Sequence, residues 1–240
     1  MTPAGILLAD PINADFSTWL KGELARRFPA APVRYVINSH HHQDHAQGAA
    51  VFNDTAEVVA HENFAGALKA AVPQDKRYAD VMMPESTYRD RRTIALGGRR
   101  VDLIHPGRMG HAPDFTVLHF PAERAVFVVD YVAVRTVPGS NTLQNGAPIA
   151  EYVNAIKAVE ALDVDIVATG HGPNGKKSDL ADHRQYFERL AERVAAAVKA
   201  GRSLEELQKA QIMSEYKDWI EYDEDNDINI ANAYKTLSAR

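Results

Sequence analysis

The sequence predicts an α/β domain, and three features carry that prediction. Short apolar runs and amphipathic helical stretches alternate through the first third of the chain. The apolar runs end abruptly, and the polar side chains with chemistry in them cluster at those ends, where α/β proteins place their sites. The 240 residues, 45% hydrophobic and 25% charged, suffice for a full core. They contain no linker-like, repeated or low-complexity stretch, so a single domain over residues 1–240 is expected.

Gly5 to Asp10 reads as a short buried strand closed by an aspartate. Phe16 to Phe28 has helical spacing, with Phe16, Trp19, Leu20, Leu24 and Phe28 on one stripe. Val33 to Asn38 and Glu57 to Ala60 are strands, and Glu62 to Val72 is a helix stopped by Pro73. The middle changes character. Thr93 to Leu96 and Arg99 to Ile104 flank Gly97-Gly98, a hairpin signature. Phe115 to Phe120 and Ala125 to Val129 form a second hairpin around Pro121 to Arg124, ending at Asp130. Pro148 to Leu162 is a helix, Asp165 to Ala168 a strand, and Thr169 to Pro173 a tight loop. Helices over Ser178 to Lys199, Ser203 to Ile212 and Ile228 to Leu237 complete the chain. Their Leu180, Tyr186, Phe187, Leu190, Val194 and Val198 are expected in the core, and the acidic run Glu221 to Asp227 in a solvated turn. Trp19 and Trp219 fit core or edge packing.

The chemistry concentrates in His40-His41-His42-Gln43-Asp44-His45, an H-x-H-x-D-H pattern directly after an apolar strand. Imidazole and carboxylate are the main nitrogen and oxygen ligands of zinc, and crowding them without an ion costs solvation for little return. A His-rich exposed loop is the bland alternative. Partners downstream weigh against it: His111 in a loop between two strands, Asp130 at a strand end, and His171 between two glycines. His40 and His42 can point the same way from an extended segment, Asp44 and His45 follow on the turn, and His41 and Gln43 should point elsewhere. Glycines beside His171 let the backbone turn sharply and approach an ion closely.

Composition removes several function classes. The formal charge of −5 argues against a nucleic-acid surface, and no apolar run approaches a membrane span. Cysteine is absent, which excludes disulfides, thiolate zinc sites and thiol nucleophiles. Met1 to Asp10 shows no basic leader or clear cleavage site, so no signal peptide is assigned and the compartment is left open, cytoplasmic for the chain as given. A leader lost by truncation would make it periplasmic.

The ordered set resembles the metallo-β-lactamase-fold hydrolase superfamily over about residues 5 to 175. The matching segments are Asp10 after a strand, the His40 to His45 cluster, Gly-His-Ala-Pro-Asp at His111, Asp130, and Gly-His-Gly at His171. The resemblance implies an α/β four-layer αββα sandwich. Family members begin with further strands, whereas nine residues precede Asp10 here. Either the chain is truncated, or it is a shortened variant lacking N-terminal edge strands of the first sheet, whose bared edges would favour association.

By the same resemblance, two divalent ions are implied, zinc first with iron or manganese as alternatives. His40, His42 and His111 would hold one ion, Asp44, His45 and His171 the other, and Asp130 would bridge them. The implied nucleophile is a metal-bridging hydroxide, with Asp44 orienting it or moving its proton. The expected reaction is hydrolysis of a small-molecule ester, thioester, lactone or lactam bond, with weak β-lactamase activity as a side reaction. An aspartate at position 130, where the best-known β-lactam-hydrolysing subclass has cysteine, argues against that subclass. Histidine at position 42, where oxygen- or nitric-oxide-reducing members carry glutamate, argues against redox chemistry. The alternatives are a phosphodiesterase or RNA-processing nuclease on the same site, and a degenerate domain kept for binding partners. The expected partner is a small-molecule substrate, with no nucleic acid and no membrane.

The remaining polar residues are assigned blander roles. His61 is either a neighbour of the ligands or a packing residue, and His105, His119 and His183 are structural or exposed. Arg89, Arg91, Arg92, Arg99 and Arg100 read as solvated edge charges, while Arg108 could meet a substrate carboxylate. Tyr131 is expected beneath the site, and Asp10 should order the loop under the ions. Specificity is expected in residues 89–92, residues 135–148 and the C-terminal helices.

Overall fold

Each stretch that carries strand or helix periodicity forms that element in the computed structural model, which describes residues 1–143 and 147–239. Among those residues the chain is a mixed α/β protein with two sheets and seven α-helices, the fold class expected. It divides into two compact units, Met1–His105 with Ala112–Glu123, and Pro106–His111 with the chain from Arg124 onward.

In the first unit β1 (Ile6–Ala9), β2 (Val33–Ile37), β3 (Glu57–His61) and β4 (Ser86–Tyr88) form a parallel sheet in that order. The three-residue β4 is too short to show an alternation in sequence. Helix α1 (Ala14–Arg27) starts where Asn13 Oδ1 accepts the Phe16 N–H at 2.9 Å. Its buried face differs from the stripe expected. Leu20 and Leu24 pack against Ile6, Val33, Val36, Phe52 and Val58, but Phe16, Trp19 and Phe28 are 38%, 59% and 38% exposed. The fully buried position is Ser17, whose hydroxyl donates to Pro11 O at 2.5 Å. Ser17, Leu20 and Leu24 follow i, i+3, i+7 spacing, so a small polar residue leads the buried face and the aromatics flank it.

Antiparallel strands β5 (Arg91–Leu96), β6 (Arg99–Ile104) and β7 (Val117–Phe120) also belong to the first unit. Gly97 and Gly98, both at positive φ, make the β5–β6 turn. The arginines here are not all solvated edge charges. Arg100 and Arg91 reach Asp102 at 2.6 and 3.3 Å, and that carboxylate is 1% exposed on β6. Burial alone would raise its pKa, but Arg100 and Thr93 outweigh burial and hold it below the usual carboxylate range. Arg92 pairs with Glu57 at 2.9 Å.

In the second unit β8 (Ala125–Val128) and β9 (Ile166–Thr169) pair in parallel, and β10 (Gly175–Lys176) runs antiparallel to β9. Helices α4 (Ile149–Glu160), α5 (Lys177–Lys199), α6 (Leu204–Lys209) and α7 (Tyr222–Ser238) follow. On α5, Leu180, Tyr186, Phe187, Leu190 and Val194 are buried as expected, while Val198 is only partly covered and Ala197 is buried beside it. The acidic run is corrected. Residues 222–227 are the first turns of α7 rather than a solvated turn, with Asp223, Glu224 and Asp225 at its N-terminus. There they face the positive end of the helix dipole, which makes a charge run a start signal instead of a loop.

Residues 135–143, 147 and 148 lie outside any named helix or strand, and 144–146 lie outside the described residues. Val137 N–H and Ile220 N–H exchange hydrogen bonds with Ile220 O and Arg135 O at 2.9 Å, and Asn229 Nδ2 donates to Pro138 O. This stretch is therefore tied to the C-terminal segments of its own unit. Among the described residues no helix is long and apolar enough to cross a membrane.

Candidate metal centre

In the first unit, β2 delivers the histidine cluster and β1 fixes it. Asp10 follows β1 at φ +45, a left-handed conformation that aspartate tolerates better than most residues. From there Oδ1 accepts the Ser39 N–H at 2.7 Å and Oδ2 lies 3.0 Å from His45 Nδ1. That contact makes Nε2 the His45 nitrogen that would serve a metal. Ser39 Oγ lies 3.0 Å from His40 Nδ1 and likewise assigns His40 Nε2 to an ion.

The cluster itself is tight. The His40 ring centroid stands 4.4 Å from that of His42 and 4.6 Å from that of His45. His42 is extended and starts α2 (Gln43–Ala46), the single turn that carries Asp44 and His45. Asp44 Oδ2 is 3.6 Å from His45 Nε2, with its carboxylate 47% exposed. His41 turns away, as the alternation suggests, and its Nδ1 meets Asp114 Oδ1 at 2.9 Å. Gly48 permits the chain to close here, since a Cβ would meet Asn13 O at 2.7 Å and crowd Pro11 O and Ser17 Oγ more closely still.

In the second unit Asp130 follows β8 at φ +65, and its carboxylate faces two histidines with different oxygens. Oδ2 is 3.0 Å from His111 Nε2, and Oδ1 is 3.4 Å from His171 Nε2. Two ligand atoms each about 2.0–2.2 Å from one ion, at angles from right to tetrahedral, stand roughly 3.0–3.5 Å apart. Both spacings lie in that range, so the carboxylate could share a metal ion with either histidine.

The glycines around His171 have separate duties. At Gly170 a Cβ would come within 2.5 Å of Val129 Cγ1, so glycine allows this loop to lie against the end of β8. Gly172 sits at φ +85, which a side chain would oppose. Thr169 Oγ1 fastens the turn by donating to His171 O at 3.0 Å.

The chain thus carries His/Asp groupings able to bind metal ions, drawn from His40, His42, Asp44, His45, His111, Asp130 and His171. The donor set suits such ions: imidazole and carboxylate only, with the His40 and His45 Nε2 atoms left to an ion by hydrogen bonds at Nδ1.

Other histidines are engaged elsewhere. His61 donates from Nε2 to Arg89 O at 2.7 Å, accepts the Asn63 N–H at Nδ1, and stacks on His105 at 3.8 Å. Burial and the His105 ring both lower its pKa. His105 Nδ1 donates to Phe115 O at 2.9 Å, and His119 is buried 3.9 Å from Asp102. Arg108 is exposed, and Tyr131 is buried.

Sequence reasoning singles out neither Ser39 nor Tyr152, which contact His40 and His111. Tyr152 Oη accepts the His111 N–H at 2.9 Å from a position 41 residues away. No local pattern signals that contact, since Tyr152 reads as one more apolar position of α4.

The match to the metallo-β-lactamase superfamily model covers residues 11–171. A curated relative, 2,4-dinitroanisole O-demethylase subunit alpha from Nocardioides sp. (strain JS1661), is 29% identical over 151 residues. The match takes in 62% of this chain and 43% of that protein, so the chain spans less than half of the relative's length. A solved metallo-β-lactamase from Pontibacter korlensis superposes with a TM-score of 0.65 at 22% identity, covering 78% of this chain and 84% of that one. A double mutant of the sec-alkyl sulfatase PisA1 superposes with a TM-score of 0.76 at 14% identity, over 98% of this chain and 46% of that one. With two thirds of its length matched by the family model and its fold shared with these structures, the chain belongs to the metallo-β-lactamase superfamily.

Proposed function

We propose that this protein is a metal-dependent hydrolase that holds two divalent ions, zinc by ligand preference, and cleaves a small-molecule ester, thioester, lactone or lactam bond. His40, His42 and His111 would hold one ion and Asp44, His45 and His171 the other, with Asp130 serving both. The observation that supports this reading is the Asp130 carboxylate, with Oδ2 and Oδ1 directed at different histidines 3.0 and 3.4 Å away. Ions bound there would supply Lewis acidity and make a nearby water a stronger acid. The protein's own contribution is positional and proton-handling. Asp10 and Ser39 hold the His45 and His40 rings by their Nδ1 atoms, and the partly exposed Asp44 carboxylate orients the attacking water and takes its proton. Nothing in the sequence supplies a thiol nucleophile.

The substrate classes are broadened by the names of the relatives. An aryl methyl ether and a secondary alkyl sulfate join nitrocefin, a thioester, a homoserine lactone and a phosphodiester as assay substrates. We expect zinc or manganese to support turnover of one small carbonyl substrate. His42→Ala and His171→Ala should lose both metal and activity. Cleavage of the phosphodiester alone, with salt-sensitive RNA binding, would move the assignment to a nuclease. Gently purified protein with neither metal nor turnover would leave only a binding domain.

A further inference from the structure

We propose that Tyr152 and His183 are positioning residues, Tyr152 holding the backbone of the metal ligand His111 and His183 the backbone of Tyr131, next to the metal ligand Asp130. The proposal rests on the reading of those two residues as ligands. The segment from His105 to Thr116 that carries His111 has no helix or strand to hold it, so its geometry must come from individual contacts. One is a buried phenol. Tyr152, 0% exposed on α4, accepts the His111 N–H at 2.9 Å and donates its own proton to Thr142 O. Both capacities of the hydroxyl are thus committed, which fixes its direction as well as its place.

The second grip is on the neighbour of Asp130. His183, 1% exposed on α5, donates a ring N–H to the backbone carbonyl of Tyr131. Asp130 itself sits at φ +65, a left-handed conformation that persists only when its surroundings impose it. The Nδ1 of His183 is buried without a hydrogen-bond partner. A leucine would fill that space without burying an unpaired nitrogen, so packing alone is a poor reason for histidine there.

A single ring joins the two grips. Phe187 stacks on Tyr152 with centroids 5.3 Å apart and 16° between planes, and it meets His183 edge-on at 5.3 Å. Trp219 lies parallel to His183, with centroids 6.2 Å apart. Helices α4 and α5 therefore present one aromatic layer with two polar tips, each on the backbone of a ligand segment. Ligand groups must sit within about 0.5 Å of the productive geometry, a tolerance that an unsupported loop does not meet.

Tyr152→Phe removes only the hydroxyl, and His183→Leu removes the second grip while keeping the volume. Zinc affinities would be measured by competition with a chromogenic chelator, beside melting temperatures and far-UV circular dichroism. Both variants should fold and bind zinc roughly ten- to hundredfold more weakly in at least one site, as outer-sphere supports of metal ligands generally do. Tyr186→Phe, another buried α5 tyrosine packed on Phe187, Tyr216 and Trp219, is the control and should change melting without changing affinity. Wild-type zinc affinity in both variants, with melting lowered as in the control, would reduce Tyr152 and His183 to packing residues. Wild-type protein that takes up no zinc would instead overturn the ligand reading, and this inference with it.

Discussion

Asp130 combines three uncommon properties: a left-handed backbone, a nearly buried carboxylate, and oxygens divided between two histidines. Asp130→Asn keeps the shape and removes the charge. Metal analysis should show at least one ion lost, and an unchanged metal content would contradict a bridging role. Gly170→Ala tests how His171 reaches this carboxylate. Its methyl would stand 2.5 Å from Val129 Cγ1, and overpacking of that kind costs about 1–3 kcal/mol. A lower melting temperature together with weaker zinc binding is expected, and a wild-type result in both would mean that the loop accommodates the methyl. At this scale the candidate ligands were readable because His and Asp in such spacing have few other uses. Their neighbours were not, because Ser39 and Tyr152 are ordinary residues until the fold brings them to His40 and His111.

Elements were legible wherever periodicity expressed burial. β1, β2, β3 and the glycine-marked β5–β6 hairpin appear in place because alternation, apolar runs and turn residues are local signals. The misplaced face of α1 has a different origin. Ser17 and Gly48 let the helix approach the segment after β1, and that approach decides which side is covered. Gly48→Ala should therefore destabilise the protein by about 1–3 kcal/mol, since backbone oxygens of Pro11 and Asn13 flank the added methyl and cannot swing aside. Chemical denaturation measures this; a loss under about 0.5 kcal/mol would show that the contact is not tight. For α7, the acidic first turn resembles a loop by composition and a helix start by electrostatics, and the second description holds.

For the whole molecule, acid stability and metal binding give separable signals. Burial drives the pKa of His183 down to about 4 from the ordinary 6.5. Above pH 6.5 the ring is neutral folded or unfolded, and no penalty arises. Between pH 6.5 and about 4 the unfolded chain takes up the proton and the folded one does not, so stability falls with pH across that window. The loss from this group is on the order of 3 kcal/mol. In metal-free protein, His183→Leu should have a correspondingly shallower acid slope than wild type; parallel slopes would assign the acid sensitivity to other groups. Metal acts through mass action. Zinc at 100-fold over its dissociation constant adds about 2.7 kcal/mol, so chelation should lower the melting temperature by on the order of 5–10 °C. A chelator without effect would argue against a bound ion.

The amino-acid order by itself determined the α/β class, the places of most strands and helices, and the seven side chains with metal-ligand chemistry. Those properties live in residue type and short-range spacing, which a linear reading captures. Tertiary structure alone decided which face of α1 is buried, that Asp102 is a covered carboxylate held by arginines, and that Tyr152 and His183 touch the backbones beside His111 and Asp130. These depend on contacts between residues distant in sequence, and a polar group's role there is set by the partner that folding brings to it.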